Sequence, residues 1–344
     1  MIVHRSGAAI ASTRLGSGTI RRMDVATMTL DAYLDEWLAL SRSRVKPSTW
    51  QSYDDACRAY LRPVLGSCRV GELTVHQLNL HFVQLLQQGG RRGGPLSQKT
   101  LTNTHAILHK ALADAVTEGR LDHNLASRVR LPRHDPDGDL RPSRLRTWDT
   151  DQAARFLELT AGDPLHDLWR VALATGMRRG ELLGLTWEDV DLEQRQLRVR
   201  RSLSYIGRRF HLTSTKSGRT RVLAIDDDTV AAITRRPSPT HPDWPLVFTG
   251  ERGMPIRPQH VTQRWRAQWP DLDLPRITFH ALRHCHACLL LDQGVPIPVV
   301  SQRLGHTNVM MTMRVYAHVL PAQDQAAAAA IGRALASGTD HEPA

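Results

Sequence analysis

Six side chains that could bind or attack a phosphate stand in apolar or tightly turning stretches of this 344-residue sequence. They are Arg178, Lys216, His280, Arg283, His306 and Tyr316. Arg178 follows an apolar run, and His280 and Arg283 lie three residues apart at the start of an apolar helical pattern, so the last two share one helix face. Two arginines, a lysine, two histidines and a tyrosine together suit one substrate, a phosphodiester.

Attack on a phosphodiester adds negative charge to its nonbridging oxygens, and these residue types can serve different parts of that reaction. A guanidinium grips two oxygens with a planar fork of donors. Donors already in place lower the barrier, and the loss of one costs on the order of 10²–10³ in rate. A tyrosine hydroxyl attacks only when cations and a base assist it, whereas a lysine in a flexible turn can protonate the departing 5′-oxygen.

The composition limits the classes of protein to which this chain can belong. Hydrophobic residues make up 41% and charged residues 23%, as in ordinary globular proteins. The net charge of +11 favours a polyanionic partner, with nucleic acid first and an anionic membrane surface second. No run of about 18 apolar residues occurs, so no membrane span is predicted. Four cysteines without zinc-finger spacing imply no disulfide framework and fit a reducing cytoplasm.

Changes in composition and periodicity divide the chain into two folded parts with three less regular segments. The predicted division is a flexible basic tail at 1–27, a helical domain at 28–130, a linker at 131–146, a mixed domain at 147–325 and a C-terminal helix or tail at 326–344. In the mixed domain, residues 165–185 predict one long helical region and residues 196–225 predict a three-stranded antiparallel sheet. The predicted fold is therefore mostly α with a small antiparallel β-sheet.

Several helix starts are predicted from residues that can cap free backbone N–H groups. The candidates are Thr29, Ser48 and Ser97 as single caps, with Thr74–Gln77 and Asp149–Gln152 as capping boxes. These signals are local, so they fix where helices begin before anything is known of how the helices pack.

In their order and spacing, the six residues resemble the motifs of the tyrosine recombinase (phage integrase) family, over about residues 29–320. The segment 175–182 (TGMRRGEL) is similar to the first arginine motif, with Arg178 as the catalytic arginine and Glu181 as its supporting acid. The remaining matches are Lys216 to the β-hairpin lysine, His280 and Arg283 to the His-x-x-Arg motif, His306 to the third motif and Tyr316 to the nucleophile. One departure is Ala281 where the family commonly has Asp, and we expect it to cost local hydrogen bonding rather than activity.

The resemblance implies an architecture and a reaction. It implies a helical core-binding (SAM-like) domain ahead of a catalytic integrase domain, and a 3′-phosphotyrosyl intermediate formed by Tyr316. Arg178 and Arg283 would hold the nonbridging oxygens, His280 would act as general acid or base, Lys216 would protonate the leaving oxygen, and His306 would donate to the phosphate. No ATP would be needed, because one phosphate ester replaces another, and no divalent metal would be needed, because the protein supplies the cations.

The resemblance also implies partners and a location. The partners would be double-stranded DNA recombination sites, three further copies of the chain in a homotetramer on DNA, and an accessory DNA-bending or directionality factor. The protein would act in the cytoplasm at the nucleoid, most simply in the integration and excision of a mobile element. A C-terminal helix after 326 would dock on a neighbouring protomer, the alternative being a solvated tail.

Two other functions and one metal site were weighed against this interpretation. An inactive DNA-binding regulator would lack one or more of the catalytic residues, and all six are present in this sequence. A type IB topoisomerase-like nicking-closing enzyme shares the chemistry, but the short 304–316 segment and the small helical domain favour a recombinase. His284, Cys285, His286 and Cys288 are close in sequence, but neighbours on a helix point in different directions, so no zinc site is predicted.

Overall fold

The computed structural model describes residues 25–90, 93–133, 146–215, 218–239, 241–269, 272–306, 308–316, 328–329, 331–333 and 335. It is mostly helical with small antiparallel sheets, which confirms the predicted fold class. Two compact units divide the chain, Met1–Asp139 and Leu140–Ala344. Most of the predicted tail (1–27), linker (131–146) and C-terminal segment (326–344) lies outside the described residues. Within the described part of the chain, no helix is long and apolar enough to cross a membrane.

The first unit is built from five α-helices. They are α1 (Leu30–Arg44), α2 (Pro47–Ala56), α3 (Arg62–Leu65), α4 (Val75–Gln88) and α5 (Gln98–Thr117). Thr29 caps α1 by accepting a hydrogen bond from the Ala32 N–H at 3.3 Å, and Thr74 and Gln77 form the predicted capping box at the start of α4. The caps satisfy backbone donors that a helix cannot pair internally, which is why these starts were readable from sequence.

The prediction that Ser48 caps the second helix is wrong. The helix begins one residue earlier, at Pro47, with Lys46 in the capping position. Proline suits the first helical position, because its φ is already helical and no N–H is needed there. A π-helical segment, Cys57–Leu61, then joins α2 to α3 directly ahead of Pro63, whose ring and missing N–H disturb the regular bonding of the preceding turn.

The core of the first unit is centred on the apolar face of α1. Tyr33 and Trp37 are buried there, and both are also tied to α5 through their polar ends. The Tyr33 hydroxyl donates to the Ala111 carbonyl at 2.5 Å, and the Trp37 indole N–H donates to Asp114 at 2.8 Å. Large aromatic side chains are stable inside a core when their polar atoms find such partners.

The second unit contains eight α-helices among its described residues. They are α6 (Thr150–Leu159), α7 (His166–Thr175), α8 (Arg179–Leu183), α9 (Asp227–Thr234), α10 (Pro258–Ala267), α11 (Ala281–Asp292), α12 (Ile297–Leu304) and α13 (Val309–Tyr316). Its core is centred on Trp265, which lies 5.1 Å from Phe156, 5.4 Å from Trp169 and 5.7 Å from Phe279 between ring centroids. This aromatic cluster supports the helices that carry the candidate site.

The single helical region predicted for residues 165–185 is wrong, because the structure breaks it into α7 and α8. Gly176 ends α7 in the left-handed conformation, with φ of +62°. A residue with a side chain adopts that conformation only at a cost, and glycine adopts it freely. The break places Arg178 at the N-terminus of α8 instead of inside a helix.

The three-stranded sheet predicted for residues 196–225 is also wrong in its composition. Five strands are present, namely β1 (Val190–Asp191), β2 (Gln196–Val199), β3 (Arg201–Ile206), β4 (Arg209–Ser214) and β5 (Arg221–Ala224). They form a three-stranded sheet, β1-β2-β5, and a separate β3-β4 hairpin, all antiparallel. Strand β4 was not predicted, although Phe210 and Leu212 alternate with polar residues along it and pack, partly buried, against the core.

Candidate active site

Arg178 lies at the point where the chain turns from α7 into α8. Gly176 is required there on two grounds, its positive φ and its contacts, since a Cβ atom would lie 2.6 Å from Cδ2 of His286. Two residues later, Arg178 occupies the N-cap position of α8 in an extended conformation. Its backbone N–H donates to one Glu181 oxygen at 2.9 Å and its Nη1 to the other at 2.9 Å. One carboxylate therefore fixes both the backbone and the guanidinium of Arg178.

Glu181 is buried and is held by a second arginine as well. Arg221, at the start of β5, donates from Nη2 to Glu181 Oε2 at 2.7 Å. Burial by itself raises the pKa of this carboxyl, but the donors of Arg221 and Arg178 outweigh it, and the pKa is lowered. Glu181 is therefore ionised at neutral pH, which the resemblance to a supporting acid requires.

Arg283 lies in the first turn of α11 and is almost fully buried. Its Nη1 donates to the Gly176 carbonyl at 2.7 Å and its Nη2 to the Leu304 carbonyl at 2.5 Å. These carbonyls belong to the C-terminal ends of α7 and α12, where helices carry partial negative charge. The planar guanidinium thus links α11 to the C-terminal ends of α7 and α12. One of its two partners, Gly176, lies two residues before Arg178 in the sequence.

His280 lies at the N-terminus of α11, exposed to solvent, with its ring 5.3 Å from that of His284 in an edge-to-face arrangement. Its pKa is lowered, first by partial desolvation of the ring and then by the positive charges of Arg283, Arg178 and Arg179. A lowered pKa keeps the imidazole neutral at physiological pH, so it can accept a proton. The same electrostatic effects show that His280 and both candidate arginines share one site.

His306 follows Gly305, which ends α12 with φ of +67°. Its Nδ1 lies 2.8 Å from the hydroxyl of Thr312, a buried residue of α13. Loss of solvent lowers the pKa of His306 to about 4, with smaller contributions from Arg283, Arg178, His284 and Arg221. The ring is therefore neutral, and it lies among the same cations as His280.

Two of the predicted residues are only partly located. Tyr316 is the last residue of α13, ten residues beyond His306, and the structure describes its backbone but not its side chain. Lys216 lies outside the described residues. Of the residues described on either side of it, the Gly218 N–H donates to the Thr215 carbonyl at 3.0 Å. The structure thus brings Arg178, Glu181, His280, Arg283 and His306 together and leaves the other two side chains unplaced.

Sequence reasoning missed one buried residue of this site. In the sequence, Arg221 is one of several basic residues in a short segment that also contains Lys216 and Arg219. The structure buries its guanidinium against Glu181, whereas burial of a single arginine leaves no signal in a basic segment. At the neighbouring Ala281, the backbone N–H donates to the Thr278 hydroxyl at 3.2 Å, so Thr278 supplies a polar partner at the start of α11.

No metal site accompanies the cluster in the part of the chain that the structure describes, where no group of three or more potential ligands occurs. Cys285 and Cys288 are buried free thiols, and burial raises the pKa of both. His286 is also buried, with Nδ1 bonded to the Leu173 carbonyl at 2.9 Å, and desolvation lowers its pKa to about 4. These three residues are core residues of α11 in this structure.

Comparison of the sequence with models of protein families and with known proteins identifies relatives of this chain. The model of the phage integrase family matches residues 147–323, and that of the phage integrase N-terminal SAM-like domain matches residues 29–84. A tyrosine recombinase XerC-like protein of Caldanaerobacter subterraneus subsp. tengcongensis is 26% identical, over 88% of this chain and 82% of its own.

Solved structures share the fold. The Tn1549 transposon integrase (residues 82–397) in complex with a circular intermediate DNA has a TM-score of 0.70 at 22% identity, over 84% of this chain and 95% of its own. A lambda integrase tetramer bound to a Holliday junction has a TM-score of 0.64 at 17% identity, over 84% and 77%. Sequence and fold agree, and the chain belongs to the phage integrase family, the tyrosine recombinases, which are site-specific DNA recombinases.

Proposed function

We propose that the second unit cuts and rejoins DNA with Tyr316 as the nucleophile, and that Arg178, Arg283 and His306 bind the scissile phosphate. The observation that carries this proposal is the convergence at Arg283, whose guanidinium joins the Gly176 and Leu304 carbonyls. That pair of bonds brings motifs more than 100 residues apart in sequence into one cationic cluster. Such a cluster suits a phosphodiester, because preorganised donors stabilise the charge that develops on its oxygens.

The proposed first step breaks one phosphate ester and forms another. The Tyr316 hydroxyl oxygen attacks phosphorus, its proton passes to His280, and the bond from phosphorus to the 5′-oxygen breaks. Lys216 donates a proton to that oxygen, so that a 5′-hydroxyl leaves and a 3′-phosphotyrosyl link remains. The neutral state of His280 supports its role as the acceptor.

The second step reverses these roles on another DNA strand. The 5′-hydroxyl of that strand gives its proton to Lys216 and attacks the phosphotyrosyl phosphorus, the new phosphodiester forms, the bond from phosphorus to the Tyr316 oxygen breaks, and His280 returns a proton to that oxygen. Because each step exchanges one ester for another, no ATP is consumed, and the arginines supply the charge stabilisation that a divalent metal supplies in other phosphoryl-transfer enzymes. With the Thr312 hydroxyl donating to Nδ1 of His306, the proton of this neutral ring lies on Nε2, from which it can be donated to a phosphate oxygen.

The proposed partners are double-stranded DNA recombination sites and further copies of the same chain. The net charge of +11 supports a polyanionic partner. The transposon integrase and the lambda integrase tetramer supply the precedents for a mobile-element site and for a homotetramer on DNA. We extend the proposal to an accessory DNA-bending or directionality factor, and to action on the nucleoid in the cytoplasm.

A nicked suicide substrate tests the proposal. Duplexes from the DNA that borders the mobile segment would carry a nick beside each candidate cleavage position, so that the released fragment diffuses away and the covalent adduct accumulates. We expect wild type and Tyr205→Phe, a control on β3, to give a protein–DNA band in a denaturing gel. Tyr316→Phe should bind the same duplex and give no band. An adduct with Tyr316→Phe would refute the assignment of the nucleophile, and its absence in wild type would refute the proposed chemistry.

A further inference from the structure

Arg221 is the one arginine of the 219–221 segment whose buried contacts reach two different motifs. Its side chain is only 8% exposed, and β5 begins at this residue. Its Nη2 donates to Glu181 Oε2 at 2.7 Å, and its Nε donates to the Arg303 carbonyl at 2.8 Å. The two acceptors are 40 and 82 residues away in sequence. Such contacts are not those of a side chain that serves only to attract DNA.

The hydrogen bond from Arg221 to Glu181 also affects Arg178, because Glu181 binds both arginines. The Glu181 carboxylate is buried and accepts from three donors, the backbone N–H and Nη1 of Arg178 and Nη2 of Arg221. A buried carboxylate stays charged and fixed only when its hydrogen bonds are made. Without Arg221, the Glu181 oxygen that also binds the Arg178 backbone would lose its second donor, and the constraint on the Arg178 guanidinium would weaken.

The contact with α12 bears on His306. The Arg303 carbonyl lies at the C-terminal end of α12, two residues before the left-handed turn at Gly305 that leads into His306. A Cβ atom at Gly305 would lie 3.1 Å from Nη1 and from Cδ of Arg221, so this turn packs directly against the guanidinium. Any shift of Arg221 would therefore be felt by the backbone that presents His306.

We propose that Arg221 is a positioning residue that fixes the Arg178 side chain and the His306 turn relative to each other. It acts through its hydrogen bonds to Glu181 on one side and to the Arg303 carbonyl on the other. It touches neither the phosphate nor the reacting atoms. The proposal rests on the proposed function, because it assigns to Arg221 the placement of groups that bind the scissile phosphate.

A lysine could not replace Arg221 in this role. Arginine reaches the two acceptors with separate nitrogens of one rigid plane, Nε and Nη2, whereas lysine carries all its donors on a single flexible ammonium. Arg221→Lys thus keeps the charge beside Glu181 but cannot hold both partners in the same geometry. This separates a positioning role from a purely electrostatic one.

The test compares Arg221→Lys with the control Arg195→Lys, whose side chain is exposed and pairs with Asp227 at 2.9 Å away from the cluster. Single-turnover cleavage of the nicked substrate is measured at saturating DNA, together with the DNA dissociation constant and the melting temperature. Displacement of catalytic groups by about 1 Å costs about 10²-fold in rate, so we expect a cleavage loss of that order for Arg221→Lys with unchanged DNA affinity. The control should cleave at the wild-type rate.

A double-mutant cycle with Glu181→Gln then asks whether Arg221 acts through Glu181. Residues that act as a unit give strongly non-additive effects on rate, so the double variant should cleave hardly more slowly than the slower single variant. Rate losses that multiply, or wild-type cleavage by Arg221→Lys, would overturn the proposal. A loss of DNA affinity that accounts for the slower cleavage would overturn it as well.

A charge-neutral pair covers the case in which Arg221→Lys does not fold. Glu181→Gln combined with Arg221→Met removes both buried charges, a change that is often tolerated in protein interiors. It should fold, bind DNA and still cleave slowly, because the link to the Arg303 carbonyl is lost, and cleavage at the wild-type rate would refute the positioning role. If wild-type protein itself forms no adduct, the proposed function fails instead, so the two failures are distinguishable.

Discussion

Replacing Gly176 by alanine tests the packing at the junction of α7, α11 and α12. At φ of +62° an alanine sits in the left-handed region, at a cost of about 1–2 kcal/mol. Its Cβ would also lie 2.6 Å from Cδ2 of His286 and 2.9 Å from a methyl group of Leu304. Overpacking of this kind costs about 1–3 kcal/mol, so the free energy of unfolding should fall by about 2–5 kcal/mol in total.

Gly294→Ala is the matched control for this substitution. Gly294, after α11 in the same unit, has φ of +75°, but a Cβ atom there would meet nothing within 4 Å. It should therefore show the backbone cost of about 1–2 kcal/mol without the clash. The difference between the two variants isolates the contact with His286 and Leu304.

Urea unfolding of the full chain, followed by tryptophan fluorescence, measures both variants. Six of the eight tryptophans lie in the second unit, so the signal reports mainly on the unit that carries both glycines. Gly176→Ala should also slow single-turnover cleavage, because the carbonyl of this residue accepts from Arg283. Equal losses of stability in the two variants would refute the argument that this junction is closely packed.

Three further results are expected. Arg283→Lys should lower the free energy of unfolding in urea by about 1.5–3 kcal/mol, because one ammonium group cannot make both hydrogen bonds that the guanidinium donates to the Gly176 and Leu304 carbonyls. An unchanged free energy of unfolding would show that these two hydrogen bonds do not stabilise the fold. The free energy of unfolding should also decrease as the pH is lowered from about 6.5 towards 4. His286 and His306 have pKa values of about 4 in the folded protein, so over this range they bind protons only in the unfolded chain. A free energy of unfolding that stays constant in urea titrations between these pH values would contradict the prediction. DNA affinity, followed by fluorescence anisotropy, should weaken steeply with salt as phosphate contacts are exchanged for counterions, and constant affinity would count against a large phosphate interface.

The parts of the fold that sequence reasoning predicted are those decided by neighbouring residues. The boxes Thr74–Gln77 and Asp149–Gln152 form as expected, because a cap and its partner are three residues apart. The break at Gly176 was missed, although the glycine was visible, because its need for glycine comes partly from His286, 110 residues later. Strand β4 was missed because its apolar signal is confined to Phe210 and Leu212, which are only partly buried against the core, and because its pairing with β3 is not visible in the sequence.

The same distinction between features set by neighbouring residues and features set by distant residues applies to the candidate site. Residue types and spacing predicted Arg178, His280, Arg283 and His306, and the resemblance to the family added Glu181; the structure brings these five residues together. Residue types and spacing could not predict Arg221, since its burial depends on a carboxylate and a carbonyl that lie far away in the chain. A basic segment in sequence does not say which of its side chains faces DNA and which faces the protein.

The way the cations are held explains how three arginines can lie close together in this unit. Glu181 offsets Arg178 and Arg221, and the C-terminal carbonyls of α7 and α12 offset Arg283 with the partial negative charge of two helix ends. Desolvation, together with the remaining positive charge of the cluster, lowers the pKa of His280 and His306. In the proposed reaction the arginines supply the charge stabilisation, while His280, neutral at physiological pH, accepts the proton of Tyr316 and His306 donates a hydrogen bond to the phosphate.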